Sequence, residues 1–171
     1  RAWIRDRVSP PEPVGQVLAD EHQRIMSQAP PMSEDERRWR QGAAGEVAVA
    51  AQLQGLGPGW GFLHAVPVGT RGSDIDHLVI GPGGIFTLNA KHHRGASVWV
   101  CGNRFRVNGR WTQYVEKSRY EARRVTDLLE RATGLRVPVT AAVVLVGART
   151  VTVKEEPDGV AVLQVDRLRD W

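Results

Sequence analysis

The sequence predicts an α/β fold in which a central mixed β-sheet is flanked by helices. Two segments with helical periodicity, near residues 33–56 and 114–132, alternate with short runs rich in β-branched and aromatic residues. Glycine, proline and asparagine bound those runs and favour turns between them. In a chain of 171 residues, this alternation is typical of one α/β domain with a sizeable core.

The first predicted helix begins with a capping box. Ser33 is the N-cap and Glu36 follows three residues later, where its side chain can return to the N-cap backbone. Helical spacing then continues to about Leu56. Gly57-Pro58-Gly59 ends the helix, because neither residue type continues a helix well.

One face of this helix is apolar except for a single acid, Glu46. Its members are four, three, four and three residues apart: Trp39, Ala43, Glu46, Ala50 and Leu53. Small residues at 42–45 allow the helix to approach a sheet closely, although each glycine costs about 1 kcal/mol relative to alanine. Two interpretations of Glu46 stay open: a functional acid held against the sheet, or a border residue whose carboxylate reaches water.

A strand is predicted at residues 61–68 and a β-hairpin within residues 74–91. The hairpin strands, 75–80 and 85–88, flank Gly81-Pro82-Gly83-Gly84, which predicts a turn. Four later strands follow the same composition rule, and Gly134 ends the second helix, which runs from about Tyr114 to Ala132. The later strands are 97–101, 104–107, 139–146 and 160–165.

Pairing of Ile80 with Ile85 gathers polar side chains at the open end of the hairpin. It sets Asp76 opposite Asn89 and Asp74 opposite Lys91, with Cβ atoms about 4.5–5.5 Å apart. The alternation of side chains along a strand then places these four residues on one face of the hairpin. Ile75, Phe86 and Leu88 lie on the other face. Carboxylate, amide and ammonium groups together suit metal-assisted phosphodiester hydrolysis. The alternative is an ordinary cross-strand ion pair with a structural role.

Several motifs in a fixed order carry a resemblance to a known family. They are Gly42-Ala43-Ala44-Gly45-Glu46, then Gly72-Ser73-Asp74-Ile75-Asp76-His77 with the following strand and turn to Phe86, and then Lys91. Over residues 40–165 the chain resembles the NERD (nuclease-related) domain, a branch of the PD-(D/E)XK nuclease-like superfamily. The resemblance implies a restriction-endonuclease-like core and a nuclease that acts on nucleic acid, more specifically DNA, with Mg²⁺ or Mn²⁺ as cofactor.

The resemblance also implies roles for individual residues. Glu46 corresponds to the acid of the first core helix, Asp76 to the metal-binding aspartate and Lys91 to the motif lysine. Asn89 stands where the superfamily usually carries a second Asp or Glu. The implied metal ligands are therefore Asp76, Glu46 and Asn89, and metal affinity is expected to fall because an amide oxygen brings no charge.

Three consequences of Asn89 stay open. The site works weakly, Asp74 supplies the missing charge, or the fold keeps nucleic-acid binding and has lost catalysis. A protein-interaction or assembly domain is a further alternative. In the second helix, either Gln113 or Glu121 takes the place of a glutamine that the family usually carries, so both are weaker site candidates.

A basic stretch begins at Lys91 and ends at Arg124, with nine basic residues against two acids. Such a stretch can attract a phosphate backbone independently of base sequence. The predicted nucleic-acid-binding residues are Arg94, Arg104, Arg106, Arg110, Lys117, Arg119 and Arg123. Four interleaved aromatics could stack on bases or belong to the core. Core positions are favoured for Trp99 and Phe105, while Trp111 and Tyr114 stay undecided.

Composition indicates the organisation and location of the chain. Residues 1–32, which hold half of the prolines, predict an arm or linker, and residues 33–171 the NERD-like domain. Because the chain begins at Arg1 rather than methionine, we expect a piece of a longer protein. A single cysteine, Cys101, and the lack of a long apolar run predict a cytoplasmic protein without membrane contact. Oligomeric state has no signature in the sequence.

Overall fold

The computed structural model describes residue 24 and residues 32–68 and 74–171. The chain divides into one unit of Arg1–Glu36 and a larger unit of Arg37–Trp171. The predicted arm at residues 1–32 lies almost entirely outside the described residues, as do Gly72 and Ser73 of the hairpin motif. All of the predicted site residues belong to the larger unit.

Residues 32–68 and 74–171 contain two α-helices, nine β-strands and, after the last strand, a short 3₁₀ helix at Val165–Arg167. In chain order they are α1 (Glu34–Leu53), β1 (Gly61–Pro67), β2 (Asp74–Gly81), β3 (Gly84–His92), β4 (Ser97–Cys101), β5 (Arg104–Val107), β6 (Arg110–Thr112), α2 (Tyr114–Thr133), β7 (Val139–Val146), β8 (Thr150–Glu155) and β9 (Val160–Gln164).

The strands form two sheets. The larger has the order β1-β2-β3-β7-β9, with antiparallel pairing from β1 to β3 and parallel pairing from β3 to β9. The smaller has the order β6-β5-β4-β8. The predicted mixed α/β class is confirmed, but the second sheet was not expected. Strands β6 and β8 were missed, although Thr150-Val151-Thr152-Val153 has the alternation of a half-buried strand.

Local signals set the helix ends. Ser33 and Glu36 form the predicted capping box, with Ser33 N donating to Glu36 Oε2 at 2.8 Å and Glu36 N to Ser33 Oγ at 3.1 Å. Helix α2 ends at Gly134, whose φ of 73° is the left-handed conformation that glycine adopts without steric cost. Its N–H donates to Glu130 O at 2.8 Å and closes the last turn.

The core lies on both faces of the larger sheet. Residues 141–146 of β7 are all buried, as expected for a parallel strand covered on both sides. On one face α1 contributes Val49 and Leu53. On the other, α2 contributes Val115 and Ala122, together with the inner residues of the smaller sheet, among them Val98, Val100 and Phe105.

The buried face of α1 differs from the predicted stripe. Gly45, Val49 and Leu53 are buried, whereas Trp39 is 75% exposed. Residues 37–42 are all exposed, so the helix is covered only from Ala43 onward. Glu46 is half-buried at the border of that face. Trp39, seven residues before Glu46, is on the same side of the helix, but this end of the predicted apolar stripe is not covered.

Candidate functional site

The hairpin has the predicted register but opens earlier than expected. Pairs run from Gly81–Gly84 through Ile80–Ile85 to His77–Leu88, and the ladder stops there. Asp76 therefore does not pair with Asn89, nor Asp74 with Lys91. The reason is a side-chain bond: a carboxylate oxygen of Asp76 accepts a hydrogen bond from Ala90 N at 2.8 Å. The two strands part around this carboxylate.

Strand β2 also loses its strict alternation at this point. Ile75 packs with Leu78 and with Val125 of α2, rather than with Phe86 and Leu88 on the α1 side. The pairing of β1 with β2 skips Asp76, where β1 has Ala65 at a φ of 49°. The predicted grouping of Ile75 with Phe86 and Leu88 is therefore wrong, because this irregularity turns one side chain to the other face.

Asn89 is buried, with 5% of its surface exposed, and it contacts Glu121 of α2. Its Nδ2 donates hydrogen bonds to both carboxylate oxygens of Glu121, at 3.0 and 2.9 Å. Its Oδ1 is buried and has no hydrogen-bond partner among the described residues. A buried acceptor without a partner is costly, so this oxygen is suited to a cation or a water molecule.

Three carboxyl groups of the site have raised pKa values. Burial is the largest cause for Asp76, Glu46 and Glu121 alike. The charge of Asp76 further raises the pKa of both Glu46 and Glu121, and Asp74 raises those of Glu46 and Asp76. Lys91 lowers the pKa of all three groups. The three carboxyl groups are therefore close enough to act on one another and on Lys91, and Lys117 also acts on Glu121.

Close contact between α1 and β3 brings Glu46 to this site. Gln41 Nε2 donates to His92 O at 2.8 Å, and His92 Nδ1 lies 3.0 Å from Gln41 O. A Cβ added to Gly45 would lie 3.0 Å from His92 Cβ. Gly45 thus provides the close approach predicted for the small residues, whereas a Cβ on Gly42 would have no neighbour within 4 Å.

Lys91 is held beside an aromatic pair that the sequence did not indicate. Its Nζ donates to Ala90 O at 3.1 Å and lies 5.6 Å from the ring centroid of Tyr114. The Tyr114 hydroxyl is hydrogen-bonded to His93 Nε2 at 2.9 Å, and the two rings stack. Tyr114 follows Gln113 at the start of α2, so only the three-dimensional contact between that helix and β3 reveals its position.

A groove of about 710 Å³ lies beside the carboxyl groups. Gln113, Lys117 and Glu121 share the face of α2 that lines it, as their spacing predicts. Asp74 lines the groove from the hairpin, so the structure brings all three weaker site candidates to one place. Its other lining residues are Val68, Glu116, Tyr120 and Arg124.

The predicted nucleic-acid-binding residues do not form one cluster. Lys117 lines the groove at the carboxyl groups, whereas Arg119 and Arg123 line a separate hollow of about 350 Å³. Arg119 also bonds to Asn103 Oδ1 and to the carbonyl of Asp158. The other four lie elsewhere: Arg94 between β3 and β4, Arg104 and Arg106 on β5, and Arg110 on β6.

The aromatic residues of the basic stretch have diverse environments. Phe105 is fully buried, as predicted, and Tyr114 is half-buried. Trp99, for which a core position was favoured, is instead half-exposed on the outer face of the smaller sheet, because its neighbours Val98 and Val100 point inward. Trp111 is 55% exposed.

The described part of the chain contains no group of three or more His, Cys, Asp or Glu side chains arranged to hold a metal ion. Asp76 accepts a hydrogen bond from Ala90 N, and Glu121 accepts two from Asn89 Nδ2. The set of possible ligands thus includes an amide oxygen, Asn89 Oδ1, as well as carboxylates.

A family model for the nuclease-related domain (NERD) matches residues 41–146, more than half of the chain. The chain belongs to this family. The resemblance drawn from the sequence motifs is confirmed, and the NERD match contains all of the predicted site residues. No curated protein and no solved structure matches the chain significantly. In the described ranges, no helix of this NERD domain is both long and apolar enough to cross a membrane.

Proposed function

We propose that this NERD domain hydrolyses phosphodiester bonds of DNA with Mg²⁺ or Mn²⁺. One observation carries the proposal: three half-buried carboxyl groups, Asp76, Glu46 and Glu121, gather around Lys91, whose charge acts on all of them, and burial raises their pKa values. Membership of a nuclease-related family supports the same reaction. A cluster of half-buried carboxyl groups beside a groove is typical of a functional site, since bringing like charges together out of water without a use costs stability.

The contact between Asn89 and Glu121 addresses the missing acid of the motif. The family resemblance expects a carboxylate at position 89, and the structure has an amide there that is bonded to a carboxylate on α2. We infer that Glu121 supplies this carboxylate from the helix. The site then keeps three acids, Asp76, Glu46 and Glu121, and Asn89 orients the third.

The residues present fit a divalent cation. Hard cations such as Mg²⁺ and Mn²⁺ bind carboxylate and amide oxygens. Asp76, Glu46 and Asn89 Oδ1 would hold the ion, with Glu121 as the further carboxylate and Asp74 at the groove edge. The unpartnered Asn89 Oδ1 supports this set, because a ligand role would satisfy a buried acceptor.

A bound ion would polarise the phosphoryl group and lower the pKa of an attacking water. The residues of the chain have separate tasks. Lys91 places a positive charge where negative charge develops on the phosphoryl oxygens. Lys117 and Arg124 line the groove and attract the phosphate backbone. Asn89 fixes the carboxylate of Glu121 through two hydrogen bonds.

A cleavage assay tests the proposal. Native protein and the Asp76→Asn and Lys91→Ala variants are incubated with labelled DNA in Mg²⁺, in Mn²⁺ and in EDTA. We expect metal-dependent cutting by the native protein and its loss in both variants. The matched control is Asp127→Asn, because Asp127 is an exposed residue of α2 whose Oδ1 lies 3.9 Å from Arg136 Nη1. Cutting that persists unchanged in Asp76→Asn would refute the proposal.

A second candidate function is nucleic-acid binding without catalysis. It is favoured by the neutral side chain at position 89 and by the lack of a ready metal-holding group in the described residues. Salt-sensitive DNA binding by native protein, with no cutting in either metal, would support this alternative.

A further inference from the structure

A row of four side chains crosses the outer face of the smaller sheet. The strand register aligns Thr152 with Trp99, Trp99 with Arg106, and Arg106 with Trp111. Val98, Val100 and Phe105 point to the opposite face and are buried in the core. The row is therefore a surface feature on a rigid support, and we name Trp99, Arg106 and Trp111 the aromatic platform.

Arg106 lies between the two indoles of the platform. Its guanidinium carbon is 3.7 Å from the ring centroid of Trp111 and 5.8 Å from that of Trp99. Stacking of this kind orders a long side chain and keeps its guanidinium in place, so that terminal N–H groups can bind an anion.

The charge of Arg106 has no counter-ion among the described residues. Its buried Nε has no hydrogen-bond partner there either. Arg104, on the same face of β5, adds an exposed cation beside the half-exposed Arg106. One acid, Glu155, stands at the end of this face beside Cys101. The platform thus combines an exposed aromatic surface with uncompensated positive charge, which complements a phosphate.

A shallow groove of about 370 Å³ adjoins the platform. Its lining includes Thr150 and Thr152 as well as Trp99 and Arg106. Hydroxyl groups beside an aromatic surface suit the polar edges of a base or sugar. Trp111 also lies only three residues before Tyr114, which contacts Lys91, and three residues span at most about 11 Å. The edge strand that carries Trp111 therefore leads directly into the start of α2, where Tyr114 contacts Lys91.

We propose that the aromatic platform binds unpaired nucleotides, so that the substrate of this domain is single-stranded nucleic acid or carries a single-stranded segment. Bases stack on exposed aromatic rings only when they are unpaired, and arginine adds a phosphate contact. A duplex hides the faces of its bases and offers only its backbone and groove edges. The proposal rests on the proposed function for the reaction itself, but binding at the platform needs no metal.

Binding without metal tests the platform separately from hydrolysis. Fluorescence anisotropy is measured in EDTA at low salt with a labelled DNA oligonucleotide, single-stranded or annealed to its complement. Native protein is compared with Trp111→Ala, Trp111→Phe and Arg106→Gln. The matched control is Trp39→Ala, because Trp39 is also an exposed indole but lies on α1, outside the smaller sheet.

We expect Trp111→Ala to weaken single-strand binding by about 5- to 150-fold, and Arg106→Gln to weaken it as well. Trp111→Phe and Trp39→Ala should bind as native protein does, and Trp111→Ala should change duplex binding little. Equal single-strand affinities of native protein, Trp111→Ala and Trp39→Ala would overturn the proposal. The proposal would also be overturned if Trp111→Ala lost single-strand and duplex affinity equally, or if native protein did not bind single strands at all. Because this binding is measured in EDTA, where the proposed hydrolysis cannot proceed, its outcome separates failure of the platform from failure of catalysis.

Discussion

The side-chain amide of Asn89 donates hydrogen bonds to both carboxylate oxygens of Glu121, which joins the third strand of the large sheet to helix α2. The same contact leaves Asn89 Oδ1 buried without a partner in the described structure. A single residue thus positions one acid and offers an oxygen to a cation. The contact explains how a carboxylate lies next to position 89 although residue 89 itself is an amide.

Asn89→Asp should destabilise the metal-free protein. The change keeps the shape of the side chain but replaces two hydrogen bonds with repulsion between carboxylates. We expect a loss of about 2 kcal/mol, which corresponds to about 4–8 °C in Tm, and recovery on addition of Mn²⁺. Thermal unfolding with and without metal measures both effects.

The control for this variant is Asn108→Asp. The Asn108 Oδ1 accepts a hydrogen bond from Ser97 N at 2.9 Å, and an aspartate keeps that acceptor. Its Tm should change little and should not respond to metal. If Asn89→Asp had the Tm of native protein and Mn²⁺ did not change it, the environment described for Asn89 would be contradicted.

Gly42 and Gly45 should respond differently to alanine. Both lie in α1, where alanine is favoured over glycine by up to about 1 kcal/mol. Gly42→Ala has open space and should gain stability, whereas the new methyl group of Gly45→Ala would lie 3.0 Å from His92 Cβ. We therefore expect Gly45→Ala to be the less stable variant by urea unfolding. Because α1 carries Glu46, Gly45→Ala should also reduce cleavage; equal stability and activity of the two variants would argue against close packing here.

His77 should make the protein sensitive to acid. Burial lowers its pKa from 6.5 to about 4, with a smaller contribution from the charge of His64, whose Nδ1 lies 2.7 Å from His77 Nδ1. Between these pH values the unfolded chain binds a proton that the folded chain does not. The free energy of unfolding should therefore fall as pH decreases from 6.5 to 4, by about 1.4 kcal/mol per pKa unit.

Comparison of variants isolates this effect, because the raised pKa values of Asp76, Glu46 and Glu121 act in the opposite direction at acid pH. His77→Leu should remove the loss of stability between pH 6.5 and 4. His64→Gln should retain most of it, since burial is the larger cause. Identical pH profiles for native protein and His77→Leu would show that His77 is not the responsible group.

Replacement of Arg119 should mainly lower stability, whereas replacement of Arg104 should mainly weaken DNA binding. Arg119 Nη2 donates to Asn103 Oδ1 at 2.8 Å and its Nε to Asp158 O at 3.2 Å, so Arg119→Ala should lower stability by about 1–2 kcal/mol. Arg104 is exposed, and its replacement should instead weaken DNA binding and reduce the slope of log K against log salt by about 1. Chemical unfolding measures the change in stability, and salt-dependent anisotropy measures the change in DNA binding. Loss of stability on replacing Arg104, together with loss of DNA binding alone in Arg119→Ala, would contradict the structure.

The sequence predicts those parts of the site that local signals determine. Turn residues 81–84 set the hairpin register, and the Ile80–Ile85 pairing is found as predicted. The capping box at Ser33 and the shared face of Gln113, Lys117 and Glu121 follow from spacing alone. Each of these features depends on residues close together in the chain.

The remaining features depend on long-range contacts. The ladder between β2 and β3 ends at His77 because the Asp76 carboxylate accepts a hydrogen bond from Ala90 N of the facing strand. The alternation of apolar and polar residues in the sequence does not reveal this bond. Asn89 and Glu121 are 32 residues apart. Alternation divides β4 into two faces but does not indicate which is covered, so the outward position of Trp99 became clear only from the packing of the smaller sheet.

An exchange of the amide and the carboxylate tests most directly whether Glu121 supplies the acid of the metal site. Cleavage of DNA is measured against Mn²⁺ concentration for native protein, Glu121→Gln and the double variant Asn89→Asp, Glu121→Gln. We predict that Glu121→Gln requires about 10- to 100-fold more Mn²⁺. The double variant should regain native metal dependence, because the carboxylate introduced on β3 then accepts a hydrogen bond from the amide introduced on α2. Native-like cleavage by Glu121→Gln would contradict the account.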